Sequence, residues 1–152
     1  MATIGLISDT HGVVPEAALE VVEGVERILH AGDVGSEDVL LLLGTVAPVT
    51  AVAGNMDRPG PTSRLPAVAT VDVAGVRFRV QHIERDTSCE DAGRHGALVL
   101  VTGHTHRPRV EEREGVLCVN PGSASRDASG NGDSVALVDV GDGGVEVRIV
   151  TL

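Results

Sequence analysis

The stretch Ala97-Leu98-Val99-Leu100-Val101-Thr102-Gly103-His104-Thr105-His106 decides the reading of this chain. A short apolar run that stops at a glycine has the length and composition of a buried strand. It ends in His-x-His. Residues two apart in extended backbone share a face, so both imidazoles leave the strand tip together. Imidazole is the commonest metal ligand among neutral side chains. Three other strand-like runs end in related chemistry: Ser8-Asp9-Thr10-His11-Gly12, His30-Ala31-Gly32-Asp33 and Ala53-Gly54-Asn55-Met56-Asp57. The expectation is a scaffold that brings these tips together around metal ions.

Working outward, residues 3–8, 25–31 and 46–53 read as strands, separated by helical patterns over 15–23 and 36–43. Pro15 suits a helix start, and Ser36 is an N-cap followed by Glu37 and Asp38. Alternation of strand and helix predicts parallel strands joined by right-handed crossovers. The alternation then gives way to hairpins. Residues 67–73 and 76–81 flank Ala74-Gly75, residues 109–112 and 116–120 flank Arg113-Glu114-Gly115, and residues 134–140 and 144–150 flank an Asp-Gly turn. Residues 87–95 form one short helix. Residues 58–66, with three prolines, and 125–133, rich in Gly, Ser, Asn and Asp, are loops. About ten strands and three helices predict two packed sheets flanked by helices, in one domain spanning 1–152.

Composition narrows the function. Hydrophobic residues make up 42% of the 152 positions but aromatics only 1%, with Phe78 alone. The core must therefore be Val, Leu, Ile and Ala, and stacking of bases on aromatic platforms is disfavoured. The formal charge is -10 and every basic residue is Arg, a poor match for a polyanion such as nucleic acid. Cys89 and Cys118 are too few and too isolated for a disulfide framework, and read as reduced thiols. Residues 39–43, the longest leucine-rich run, fall far short of the ~20 needed to span a bilayer. A soluble, cytoplasmic protein without membrane contact is expected.

The candidate ligands are Asp9, His11, Asp33, Asn55, His82, His104 and His106. Sites in open α/β sheets form beyond the carboxyl ends of strands, where such tips lie. Two carboxylates, one amide and four imidazoles without a thiolate suit manganese, iron, nickel, cobalt or zinc better than calcium or a closed structural zinc site.

The ordered set Asp9-x-His11, Gly32-Asp33, Gly54-Asn55 and Gly103-His104-x-His106 resembles the calcineurin-like metallophosphoesterase superfamily. The short length, Gly54-Asn55-Met56-Asp57 and Asn120-Pro121-Gly122-Ser123 resemble its small bacterial and archaeal phosphodiesterase branch. The resemblance implies a four-layer α/β/β/α sandwich of two mixed β-sheets flanked by helices. It implies that Asp9, His11 and His106 hold a first metal, that Asp33 bridges two metals, and that Asn55, His82 and His104 hold the second. Both would be divalent ions, manganese foremost. Cations ~3.5–4 Å apart lower the pKa of a bridging water, and the hydroxide attacks phosphorus in line. In that picture Asp33 and Asn55 take part in catalysis, and Arg58 adds a positive charge beside the phosphate.

Two departures stand out. Many members place a His after the ligand Asn, where it protonates the leaving group; here Met56 cannot donate a proton. Relatives usually have His-Gly where this chain has His82-Ile83. Ile disfavours positive φ, so the loop after His82 is expected to take another path, and a displaced His82 would weaken the second metal. The expected function is a metal-dependent phosphodiesterase with a small phosphodiester substrate. The rivals are a phosphomonoesterase or nuclease, and a protein-binding scaffold like the retromer subunit of this fold. By analogy with relatives, a homodimer or homotetramer is expected.

Overall fold

The computed structural model describes residues 1–57, 59–125 and 132–152. Arg58 and most of the glycine-rich stretch expected as a loop lie outside the described residues. The first sheet runs in the order β10-β9-β1-β2-β3, from β1 (Ala2–Ile7), β2 (Arg27–His30), β3 (Val49–Ala51), β9 (Ser134–Gly141) and β10 (Gly144–Thr151). Strands β1, β2 and β3 are parallel; β9 runs antiparallel to both β1 and β10. The second sheet runs β4-β5-β6-β8-β7, from β4 (Val68–Val73), β5 (Val76–Gln81), β6 (Val99–Val101), β7 (Arg109–Arg113) and β8 (Val116–Asn120). There β5, β6 and β8 are parallel, and the edges β4 and β7 are antiparallel. Both sheets are mixed.

Period-two patterning builds the layers. Along β1, Ala2, Ile4 and Leu6, with Val138 of neighbouring β9, face the other sheet, where they meet Phe78 and Val80 of β5 and Val99 and Val101 of β6. Phe78 is fully buried in this inner core, and truncating it to Ala would cost about 3–5 kcal/mol. The outer face of the first sheet offers Ile7 and Ile28 to Ala18 of α1 (Glu16–Val21) and to Val39 and Leu43 of α2 (Glu37–Gly44). The outer face of the second packs Leu100 and Cys118 on Cys89 and Ala92 of α3 (Ser88–Arg94). Helix, sheet, sheet, helix is the expected four-layer sandwich.

Local chemistry sets the element ends. Ser36 caps α2 by accepting from the Asp38 N–H at 3.2 Å. Pro15 precedes α1 as its cap, and the helix stops at Val21 before Gly24, whose φ of 84° is left-handed. The third strand is shorter than its apolar run because Pro48 offers no N–H to the ladder. A single 3-10 turn, Thr62–Arg64, interrupts the proline-rich loop. One expectation is corrected: Cys89 and Cys118 are not isolated thiols. Strand β8 carries Cys118 beneath α3, where it is bonded to Cys89 with Cα atoms 6.6 Å apart. Among the described residues, no helix is long and apolar enough to cross a membrane.

Register positions the site. Pairing Ile7 with His30 ends β1 and β2 level, so the Asp9 N–H reaches Gly32 O at 3.0 Å and the His11 N–H reaches Asp33 O at 3.0 Å. In the second sheet the Gly103 N–H donates to His82 O at 2.9 Å. The carboxyl ends of β1, β2, β3, β5 and β6 thus deliver their loops to one edge of the sandwich.

Candidate metal centre

Asp9 is fully buried. Its Oδ2 accepts from Ser8 Oγ at 2.6 Å and from the His104 N–H at 3.1 Å, which leaves Oδ1 to face the centre. Around Oδ1 stand His106 Nε2 at 3.2 Å, His82 Nε2 at 3.8 Å and His11 Nε2 at 3.9 Å. Asp33 is also buried; its Oδ1 accepts the Met56 N–H at 2.8 Å, and its Oδ2 lies 3.2 Å from His82 Nε2 and 4.0 Å from His11 Nε2. Two groups with metal-ligand spacing result, Asp9-His11-His106 and Asp9-Asp33-His82. His104 Nδ1 lies 3.2 Å from Asn55 Oδ1, and its ring meets that of His82 edge-on with centroids 5.3 Å apart. All seven candidate ligands therefore gather at this edge, with Asn55 and His104 on its exposed lip.

His82 holds its place despite Ile83. It is buried, and Ile83 is not among the residues with positive φ. His82 Nδ1 stands 2.7 Å from Ala31 O, and a carbonyl only accepts, so Nδ1 carries the hydrogen and Nε2 faces the carboxylates.

These residues fit a cation. Asp9 Oδ1, His11 Nε2 and His82 Nε2 are buried without a hydrogen-bond partner. Buried polar atoms normally have partners, and convergent orphans around two carboxylates are the donor set of a divalent metal with N/O ligands. Protonation reflects the same crowding. Burial works against the charged Asp33, but the His82 imidazole beside it, the Met56 N–H and the His11 charge hold the carboxyl below its ordinary range. Burial likewise opposes charge on His82, and the Asp33 and Asp9 carboxylates outweigh it and raise its pKa.

Backbone strain concentrates here. Asp9, His11, Asp33, His104 and His106 all have positive φ, between 48° and 74°. Such conformations cost of order 1–3 kcal/mol each and persist only where the surroundings over-determine them. Two glycines permit the crowding. A Cβ on Gly54 would collide with the Asp33 carboxylate and backbone, and one on Gly103 with Ser8 Oγ and Asp9 Oδ2.

Several bracing residues carry no ligand signature. The Asp57 carboxylate accepts the N–H groups of Gly54 at 2.7 Å, Gly35 at 2.9 Å and Val34 at 3.3 Å, tying the Asn55 loop to the Asp33 loop. Asn120 donates to Gly103 O at 3.0 Å and Thr105 Oγ1 at 3.1 Å, and Ser123 donates to Asp9 O at 2.9 Å. The Asn-Pro-Gly-Ser segment is therefore a brace for two ligand loops. Fully buried His30 accepts the Gly32 N–H on Nδ1 at 3.1 Å and contacts Thr10 Oγ1 through Nε2 at 3.0 Å. Burial pushes its pKa down to about 3, so it is neutral. Only the downstream position of Asp57 after Gly54-Asn55, and the turn residues of the Asn120 segment, hinted at these roles.

A sandwich of two mixed sheets flanked by helices, with candidate metal ligands gathered at its loop edge, has the metallophosphoesterase fold. A family model, the calcineurin-like phosphoesterase superfamily domain, matches residues 2–143, and the chain belongs to that superfamily. It is 42% identical over 130 residues to a probable metallophosphoesterase of Methanothermobacter thermautotrophicus, covering 79% of this chain and 76% of the relative. It is 30% identical over 138 residues to a phosphodiesterase of Methanocaldococcus jannaschii, covering 78% and 82%. Among solved structures, an archaeal phosphodiesterase superposes with a TM-score of 0.81 at 25% identity, over 97% of this chain and 99% of that one. Vacuolar protein sorting 29 from Cryptosporidium parvum superposes with a TM-score of 0.77 at 24% identity, over 98% and 96%, a likeness of fold alone.

Proposed function

We propose that this chain is a metal-dependent phosphodiesterase acting on small phosphodiesters. The observation that carries the reading is the set of orphaned, buried atoms, Asp9 Oδ1, His11 Nε2 and His82 Nε2, converging beside Asp33. In this reading Asp9, His11 and His106 hold one divalent cation, and Asn55, His82 and His104 hold another. Asp33, whose Oδ2 faces both His11 and His82, would be shared between the two. Manganese is the first candidate, with nickel, iron, cobalt or zinc as alternatives. When bound, such a pair supplies a nucleophile drawn from water near neutral pH and positive charge opposite the phosphoryl oxygens.

The chain's own residues do the rest. Ser8 and the His104 N–H hold Asp9 Oδ2 so that Oδ1 stays aimed inward. Ala31 O fixes the His82 tautomer. Asn55, on the exposed lip, would touch a phosphoryl oxygen. Met56 contributes its backbone N–H to Asp33, while its side chain has no proton to give. The leaving group therefore takes its proton from water or from the substrate. Arg58 is proposed to stand beside the phosphate.

A scaffold role is the second reading, because the fold is also that of vacuolar protein sorting 29. The complete donor set favours catalysis over it. The test is hydrolysis of bis(4-nitrophenyl) phosphate and 4-nitrophenyl phosphate after metal stripping and reloading with each candidate ion. Metal-dependent turnover that favours the diester is expected. Bound metal without turnover of either ester would support the scaffold.

A further inference from the structure

Two cavities with different walls flank the centre. On the His104 side, a cavity of about 320 Å³ is lined by Ile83, Glu84, His104, Thr105, Arg107 and Arg109 among others. On the His11 side, one of about 360 Å³ is lined by His11, Glu37, Met56, Pro59 and Pro61 among others. In the first, the Arg109 guanidinium is committed: it donates to Glu84 Oε1 at 2.6 Å and stands 3.6 Å from Glu111 Oε2. Arg107 is not. Its backbone N–H donates to Thr105 Oγ1 at 3.2 Å, but its guanidinium makes no hydrogen bond or ion pair with any described residue. With Arg109 balanced by the Glu84 and Glu111 carboxylates, Arg107 is left as the uncommitted positive charge of this wall, in a chain whose formal charge is -10. Among the described residues, the second cavity presents apolar Met56, Pro59 and Pro61 with the Glu37 carboxylate.

We infer that Arg107 is a specificity residue that selects substrates carrying a second oxyanion, a carboxylate or phosphate, on the arm that passes His104. The inference rests on the phosphoesterase reading of the same centre and names its substrate class: a phosphodiester with an anionic arm on the His104 side. The chemistry suits the residue. Guanidinium is a planar fork that matches an oxyanion in two hydrogen bonds, and it stays charged at every accessible pH. A charge-assisted pair of this kind at a half-open wall should confer roughly tenfold in affinity.

The test reads binding rather than turnover. Metal-loaded protein is titrated calorimetrically with ω-phosphonocarboxylates of two to five carbons and with the alkylphosphonates of matching length. The wild type should prefer one phosphonocarboxylate by about tenfold. Arg107→Gln should reduce that preference to less than about twofold and Arg107→Lys should restore part of it, while Arg148→Gln, on remote β10, should leave it intact. No preference at any length, or a preference that survives Arg107→Gln, overturns the inference while leaving the phosphoesterase reading standing. Failure of both probe series to bind in the presence of metal overturns the two together.

Discussion

Asp33 Oδ2 and His82 Nε2 stand 3.2 Å apart, both buried, in loops that follow strands of different sheets. Without metal this is an ion pair, and the carboxylates raise the pKa of His82 above its ordinary 6.5. A metal ligand must be unprotonated, so cation and proton compete for Nε2. Metal affinity should therefore fall as pH drops through the raised titration range of His82. Calorimetric titration with Mn²⁺ in buffers of different ionisation enthalpy should show proton release on binding below that range. Binding without proton release at any pH would mean that His82 is not a ligand.

Removing Asp33 strikes both proposed cation positions. Asp33→Ala should lower turnover of an activated diester by about a thousandfold or more and empty both sites. Activity assays paired with elemental analysis check it. A variant with wild-type turnover would refute the bridging role.

The glycines make a steric prediction. In Gly54→Ala the new methyl meets the Asp33 carboxylate and backbone, which cannot retreat because the Met56 N–H holds Oδ1. Overpacking of this kind costs about 1–3 kcal/mol. Because the clash falls on a ligand, metal affinity should drop more than thermal stability of the metal-free protein. Equal metal affinity in wild type and variant would show that the loops have slack.

Much of this centre was legible in the sequence, and the reason is physical. Strand tips in parallel sheets point to one edge, so Asp9, His11, Asp33, Asn55, His104 and His106 could be collected from runs that end alike. The hairpin turns at Ala74-Gly75 and Glu114-Gly115 were legible from Gly75 and Gly115, which take left-handed backbone without strain, although Ala74 and Glu114 also adopt positive φ. His82 was harder. Ile83 suggested a diverted loop, but His82 is held by Ala31 O from the other sheet, a contact that no local pattern encodes. Asp57 and the Asn120 segment could be placed near the site from their position in the chain, but not their partners, which are backbone N–H and C=O groups of distant loops. The Cys89–Cys118 bond escaped because a helix and a strand far apart in the chain meet only once the second sheet forms.

His30 gives an acid-stability prediction. Its folded pKa is about 3 against an ordinary 6.5, because it is buried. Between these values the unfolded chain binds a proton that the folded chain refuses. Its contribution is therefore fully present above pH 6.5 and is lost as pH falls toward 3, by up to about 1.4 kcal/mol per pH unit. His30→Asn keeps an acceptor for the Gly32 N–H and removes the titration. Urea unfolding of the metal-free variant should show a flatter pH dependence between 6.5 and 4 than the wild type, and parallel slopes would contradict the account.

The most direct test is metal stoichiometry. Protein loaded with Mn²⁺ and desalted should contain two ions per chain by elemental analysis, and His82→Ala should fall to about one through loss of the second site. One ion or none in the wild type, or an unchanged count in His82→Ala, would contradict a pair of cations gripped by these loops.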